Sequence, residues 1–239
     1  MYKILTINTS RSQKGSTQLL IDRLTTTLKC SIPNIAIETI TPFSYTLLPS
    51  QTPENSFLGL EDNLGDSKTD DRDLLVDKID SCDLLILASP TYFSNVTADM
   101  KLLIDRCCHL AHLFYFAGKP VVLASTSDGR GHMQVIDYLR SFVTGLGMIV
   151  LGELYDSGIS KAPQESIEQV SNAIVSFFAT HAVPKPSIES EIAFSYWKRV
   201  IVTRDDQNHE KRYWMSSGLL DASSFANYLS NKSANGNES

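Results

Sequence analysis

Short apolar runs rich in β-branched residues alternate with stretches of helical spacing over most of the chain. Residues 2–8 (YKILTIN) read as a first strand. Across residues 16–28, Leu19, Leu20, Leu24 and Leu28 recur at helical spacing. Residues 34–40 (NIAIETI) alternate and predict a second strand, and residues 71–79 a second helix behind an acidic cap. Residues 83–88 (DLLILA) form a continuous apolar run, the mark of a central strand buried on both faces. Residues 96–115 predict a third helix, 120–124 a fourth strand, 132–145 a fourth helix, 148–154 a fifth strand and 164–181 a closing helix.

Strands separated by crossover helices imply a parallel sheet with helices on both faces. The expected fold is therefore α/β and doubly wound, five strands in the order 2-1-3-4-5. Ligands of such sheets bind beyond the C-terminal strand ends, at the switch point between strands one and three. The loops after strands one, three and four are expected to hold the chemistry.

Two segments fall outside this unit. Residues 41–70 form a long connection carrying Pro42, Pro49, Pro53, Phe43, Tyr45 and Phe57; such loops serve as lids, interface arms or disordered segments. The expected division is a domain over residues 1–182 and an extension over 183–239. The extension carries Tyr196, Trp197, Tyr213 and Trp214, reads as strand over the alternating 199–204 (RVIVTR), and ends in a disordered tail from 231. Its aromatics either embrace a second subunit or pack as a hairpin on their own domain.

The net charge of -6 argues against nucleic acid and against a polybasic membrane anchor, since both rely on clustered Lys and Arg. No apolar run reaches 18 residues and no signal-peptide pattern opens the sequence, so the expectation is a cytoplasmic protein with no membrane partner. Cys30, Cys82, Cys107 and Cys108 form no CxxC pair and read as reduced thiols, mostly buried. No metal site is expected.

After strand one comes Asn8-Thr9-Ser10-Arg11-Ser12-Gln13-Lys14-Gly15-Ser16-Thr17. Hydroxyls gather there where a loop enters a helix N-terminus, whose N–H groups and dipole favour an anion. Ser10, Ser12, Ser16 and Thr17 can donate hydroxyl hydrogen bonds, with Arg11 or Lys14 adding charge. The alternative is a plain helix cap by Ser16 or Thr17. After strand three, Tyr92 and Phe93 offer a flat apolar surface, and Thr91 and Asn95 polar groups for the edge of a planar ligand. After strand four, residues 125–132 (STSDGRGH) supply Ser127, Gly129 and Gly131 as a third wall. The glycines permit close backbone approach, and their N–H groups suit a ring edge that gains negative charge. Arg130 can stabilise the same charge, and His132 is either a proton donor or a surface residue.

Residues 89–106 (SPTYFSNVTADMKLLIDR) resemble the signature of the NADPH-dependent FMN reductase family of flavodoxin-like proteins. The loop NTSRSQKGST resembles that family's phosphate loop, departing from it at Thr9, where Gly is usual, and at Arg11, where Pro is usual. The resemblance extends over roughly residues 1–182, with a weaker one at Arg212-Tyr213-Trp214. It implies that Ser10, Ser12, Ser16 and Thr17 hold the FMN phosphate, and that Pro90, Thr91, Tyr92, Phe93 and Asn95 line the ribityl chain and the ring. Lys101, Asp105 and Arg106 are structural on this resemblance, as an ion pair and a dimer contact. The related iron–sulfur flavoproteins carry clustered cysteines in the loop after strand two; residues 41–70 contain none, which excludes such a cluster.

The implied activity is transfer of hydride from NAD(P)H through bound FMN to a small-molecule electron acceptor such as a flavin or quinone, in a homodimer. No residue is expected to act as catalyst itself, because the flavin carries the reaction. The alternatives are a quinone, azo or nitro reductase with the same site, a flavin-binding electron carrier or partner protein, and a scaffold whose site has lapsed.

Overall fold

The computed structural model describes residues 1–58, 60, 69–180 and 184–236. Strands β1 (Tyr2–Asn8), β2 (Ile35–Ile40), β3 (Leu84–Pro90), β4 (Pro120–Ser127) and β5 (Ile149–Ser157) pair in parallel, in the order β2-β1-β3-β4-β5. This is the flavodoxin-like, doubly wound arrangement expected from the alternation of strands and helices. The helices in chain order are α1 (Ser16–Ser31), α2 (Pro53–Phe57), α3 (Arg72–Ser81), α4 (Ala98–Cys107), α5 (His109–Leu113), α6 (His132–Gly145) and α7 (Gln164–Thr180). Three more follow the sheet: α8 (Ile188–Val202), α9 (His209–Ser216) and α10 (Phe225–Gly236).

The period of two in the strands divides the core. Leu84, Ile86, Val122 and Ala124 face α1 and α7, and meet Leu20, Ile21, Leu24, Ile167 and Ile174. Leu85, Leu87, Val121 and Leu123 face the other way, onto α3, α4 and α6. Because both faces of β3 and β4 are covered, these strands are apolar at every position until their polar C-terminal ends. Those ends finish level with each other: Asn8 lies beside Ala88, Ser89 beside Ser125, and Pro90 beside Thr126.

The long connection after β2 is pinned at both ends. Asp71 N donates to Thr46 O (2.8 Å) and Leu48 N to Asp70 Oδ2 (2.8 Å). The Arg106 fork then reaches Asp70 Oδ2 (2.6 Å), Asp70 Oδ1 (2.9 Å) and Leu48 O (2.7 Å), with both side chains fully buried. Burial pushes the Asp70 carboxyl up, but hydrogen bonds from Arg106 and from the Leu48 and Arg72 N–H groups outweigh it, so its pKa ends below the usual range. Lys101 pairs with Asp105 one turn along α4, leaving Arg106 as the inward anchor. Burial pushes the Cys107 thiol up to about 12, and Cys82 is buried too, whereas Cys30 is exposed and Cys108 half-buried.

The structure corrects three expectations. The helix expected over 96–115 starts at Ala98, behind a Thr97 cap, and breaks at Cys108 into α4 and α5. The strand expected over 199–204 is helix instead, the end of α8. Its alternation is local, while Ser190, Phe194 and Ile201 form the buried stripe of a helix that Ser187 caps. The tail expected to be disordered from 231 continues α10 as far as Gly236; residues 237–239 lie outside the described residues. The extension is thus helical and packs on its own domain. Phe194, Ile201, Trp214, Phe225 and Leu229 share one buried cluster with Phe114, Ala117 and Ile149.

Candidate functional site

The loop after β1 is braced from within. Asn8 Oδ1 accepts from Ser10 N (3.0 Å), and Asn8 Nδ2 donates to Gln18 Oε1 (2.9 Å). Ser12 N donates to Ser10 Oγ (3.2 Å) and Gly15 N to Ser12 O (3.2 Å), which curls the loop into a cup. Gly15 is the N-cap of α1 and, as a glycine, brings no side chain to cap that helix. The first N–H groups of α1 therefore receive no cap from the N-cap residue itself. A Cβ on Gly15 would lie 3.0 Å from both Cβ and Oγ of Ser12. The cup is shaped by the lack of a side chain there.

Ser12 and Ser16 are exposed at the cup, and Ser10 is buried at its base. Thr17 is turned inward: its Oγ1 lies 2.7 Å from Thr126 Oγ1. Thr9, which replaces the usual Gly, also points away. Its Oγ1 donates to Ala88 O (3.2 Å) and accepts from Thr97 Oγ1 (2.9 Å), tying β1, β3 and the start of α4 together. Arg11 lies across the rim, with Nε and Nη2 on Asp99 at 2.9 and 2.7 Å and its guanidinium 5.8 Å from the Phe43 ring centroid. Its charge is matched by Asp99. Lys14 is exposed, with no ion-pair partner among the described residues. Beside this clasp sits the Tyr45 hydroxyl, buried without a hydrogen-bond partner; burial and then the Asp99 charge push its pKa up to about 12.

The second wall is a tight reverse turn. Tyr92 and Asn95 exchange backbone hydrogen bonds (2.8 and 3.1 Å), with Phe93 and Ser94 at the corner at φ 51 and 60. Both corner residues are left-handed, a geometry that turns of this kind normally assign to Asn and Gly. Tyr92 is 61% and Phe93 104% exposed, so no packing of the Phe93 ring compensates the strain. Asn95 Oδ1 accepts from Val96 N (2.8 Å). Thr91 N donates to Thr126 O (2.7 Å) and Thr91 Oγ1 lies 3.2 Å from Ser125 Oγ, which fixes Pro90 and Thr91 against β4.

The third wall touches the second. Gly131 has φ 97, and a Cβ there would lie 2.9 Å from Ser94 Cα and 2.9 Å from Thr91 Cγ2. Gly129 has nothing within 4 Å of such a Cβ and faces open space. Ser127 Oγ lies 3.0 Å from His132 Nδ1, and the His132 ring stacks on Tyr155 at 5.0 Å between centroids. His132 is thus held on both sides at the start of α6.

The fold brings all twelve expected residues, Ser10 to Gly131, to one end of the sheet. Sequence reasoning missed the braces: Asn8, Asp99, Thr97, Thr126 and Tyr155. The signal for Thr97 and Thr126 is a hydroxyl interrupting an apolar strand or opening a helix. Asp99 and Tyr155 carry no local signal, because their partners are 88 residues and 23 residues away in the chain.

The family model for NADPH-dependent FMN reductases matches residues 2–159. An iron–sulfur flavoprotein of Methanocaldococcus jannaschii is 32% identical over 102 residues, which is 39% of this chain and 53% of that protein. The aligned stretch thus spans about half of that relative's length. An FMN-dependent NADH:quinone oxidoreductase of Burkholderia pseudomallei is 24% identical over 196 residues, 72% of this chain and 96% of that protein. Among solved structures, an NADH:FMN oxidoreductase in its apo form superposes with a TM-score of 0.54 at 21% identity, covering 79% of this chain and 94% of that one.

Proposed function

The chain belongs to the NADPH-dependent FMN reductase family, and from that premise we propose that it holds FMN at the C-terminal ends of β1, β3 and β4 and reduces a small acceptor with electrons from NAD(P)H. One observation carries this reading: the cup closed by Gly15 at the α1 N-terminus, at the same end of the sheet as two exposed aromatics on a strained turn. FMN, when bound, supplies the hydride-accepting and electron-donating ring.

The chain's own groups bind, orient and exclude water. Ser12, Ser16 and the N–H groups at the start of α1 would hold the phosphate, with Ser10 shaping the cup from below. The charge match of Arg11 to Asp99 leaves the helix N-terminus and hydroxyls as the main source of that affinity. Pro90, Thr91 and Asn95 would fix the polar edge of the ring, and Tyr92 and Phe93 would cover its face and shape the acceptor pocket. Ser127 and the N–H groups of Gly129 and Gly131 would meet the pyrimidine edge and steady the charge there. His132 holds a proton on Nδ1 or Nε2 according to which way the Ser127 hydroxyl turns.

The reading extends to a homodimer in the cytoplasm, with an acceptor drawn from flavins, quinones and azo or nitro compounds. Among the described residues no helix is long and apolar enough to cross a membrane. The test is the visible spectrum of the purified protein, followed by anaerobic addition of NADPH and then NADH. A yellow protein bleached by either supports the reading. A yellow protein that neither reduces is an electron carrier or partner protein. A colourless protein that also takes up no added FMN overturns the cofactor assignment.

A further inference from the structure

The family match ends at residue 159, and the helices beyond it build a polar couple with α5. His112 Nδ1 lies 2.8 Å from Glu210 Oε1 on α9, and Glu210 is fully buried. Arg204 Nη2 stands 3.7 Å from the other carboxylate oxygen, Oε2. The Trp197 ring of α8 lies 4.3 Å from the His112 ring, and Trp214 Nε1 donates to His112 O (2.8 Å). The imidazole is thus held by its ring face, its Nδ1 and its backbone carbonyl. Burying a carboxylate is costly, and one that bonds Nδ1 fixes both the ring orientation and the nitrogen left free.

His112 also lines a cavity of about 460 Å³ between the long connection and the α4–α5 face. Pro49, Pro53 and Leu102 form its apolar wall. The other polar groups there are engaged within the chain. Ser50 Oγ accepts from Thr52 N (3.3 Å), Cys108 Sγ donates to Ile104 O (3.2 Å), and Asp105 pairs with Lys101. His112 Nε2 has no hydrogen-bond partner among the described residues, and the side chain keeps 17% of its surface exposed. An apolar wall with one oriented, unspent polar atom has the composition of a small-molecule site, and the volume lies in the usual range for one.

The ligand class follows from the couple. A carboxylate oxygen accepts, so Nδ1 carries its proton toward Glu210, and Nε2 of the neutral ring is an acceptor. The bound molecule must then offer a donor. Charges around the cavity are matched, Lys101 to Asp105 and Arg204 to Glu210, so no unmatched charge is left to attract an ion. Two prolines and a leucine suit a flat apolar body. We propose that this cavity is a second ligand site, taking a neutral phenol with its hydroxyl donating to His112 Nε2 and its ring against Leu102 and the prolines.

The site is separate from the one at the strand ends. Thr97, which caps α4, bonds Thr9 there, and Asp105, Cys108 and His112 lie roughly 10–20 Å further along the helical path. It is built from both parts of the chain, because Trp197 and Glu210 lie beyond the matched residues 2–159. It therefore does not rest on the reductase reading.

The experiment is calorimetric titration of the full chain, supplied with FMN, using 4-propylphenol, 4-propylanisole and 4-propylbenzoate as probes. Histidine ring nitrogen signals are followed by NMR alongside. The expected result is phenol binding with a Kd on the order of 0.1 mM and a shift of the His112 Nε2 signal. The anisole, which lacks the donor, should bind about tenfold more weakly, and the benzoate should not bind. Leu102→Trp, which fills the cavity from a half-buried position, should abolish phenol binding while the thermal melt stays in place. Failure of the phenol to bind up to its solubility overturns the inference. So does an anisole as tight as the phenol, or a benzoate tighter than it. Phenol binding that survives Leu102→Trp and perturbs the flavin absorption places the probe at the strand ends and overturns it too. Bleaching by NADPH is read separately, so failure of this site and failure of the reductase assignment remain distinct.

Discussion

The two poles of the sheet use aromatic residues in opposite ways. At the N-terminal pole, Trp214, Phe194, Phe225 and Phe114 are fully buried, with ring centroids 5.1–6.1 Å apart. At the C-terminal pole, Tyr92 and Phe93 stand out in solvent on a turn whose corner is left-handed. Packed rings of the first kind supply stability. Exposed rings held by a strained backbone cost stability and persist where a ligand meets them. The difference separates what keeps the chain folded from what gives it a site, and mutations should sort the same way.

The largest effect is expected at the packed pole. Trp214→Ala removes the largest fully buried side chain and leaves His112 O without the indole N–H that donates to it (2.8 Å). Denaturant titration should show a loss of about 3–5 kcal/mol. FMN affinity of the fraction that remains folded should hardly change. A large fall in affinity at equal folding would mean that the two poles are coupled, and the division would fail.

Next is the anchor of the long connection. Arg106→Met leaves the Asp70 carboxylate buried without its cation and should cost about 3 kcal/mol or more. The same pair sets a pH dependence. Asp70 has a folded pKa below its unfolded value, so its contribution is present above the unfolded value, about 3.9, and is lost as pH falls through the folded one. Equilibrium unfolding from pH 6 downward should show stability falling below about pH 4, with a shallower fall in Asp70→Asn. An identical acid limb in that variant would assign it to other carboxylates.

Two glycines test the site itself. Gly131→Ala forces a Cβ into the left-handed region, 2.9 Å from Ser94 and Thr91, and should cost about 2 kcal/mol along with FMN affinity. Gly15→Ala is the cleaner probe, because its φ of -77 suits any residue and the atoms nearest the added methyl all belong to Ser12. Stability should stay within about 0.5 kcal/mol, while FMN binding, followed by quenching of flavin fluorescence, weakens about tenfold. Unchanged affinity would move the phosphate away from this cup.

The two poles were also unequally legible in the sequence. β1 and α6 stand at the expected residues, and the sheet order follows from the alternation, because burial on both faces imprints a continuous apolar run on β3 and β4. The three loops were legible as walls because topology alone directs ligands to those strand ends. The roles of single side chains within them were less so. Thr17 reads as a phosphate donor by type and place, yet its hydroxyl bonds Thr126, 109 residues away. Arg11 reads as a loose cation, yet Asp99 takes it from across the site. The extension was misread for a physical reason: RVIVTR alternates over six residues, but the helical stripe of Ser190, Phe194 and Ile201 shows only over a window twice as long. The fate of its aromatics depended on Phe114 and Ile149, which no local pattern links to it.

A small stability effect of either sign is expected at Phe93 as well, and it sharpens the comparison most. The residue sits at φ 51, followed by Ser94 at φ 60, a corner that glycine adopts freely. Its ring is fully exposed, so truncation removes no packing. Phe93→Gly relieves the left-handed strain and, in opposition, gives the unfolded chain more freedom. These terms are each about 1 kcal/mol and opposed, so unfolding free energy should shift by less than about 1 kcal/mol in either direction. If the ring covers a bound flavin or an acceptor, kcat/KM for acceptor reduction should fall several-fold while the melting curve stays in place. A loss of stability above about 2 kcal/mol would place Phe93 among the structural rings. Unchanged stability together with unchanged kinetics would leave the strain at this corner without a ligand to account for it.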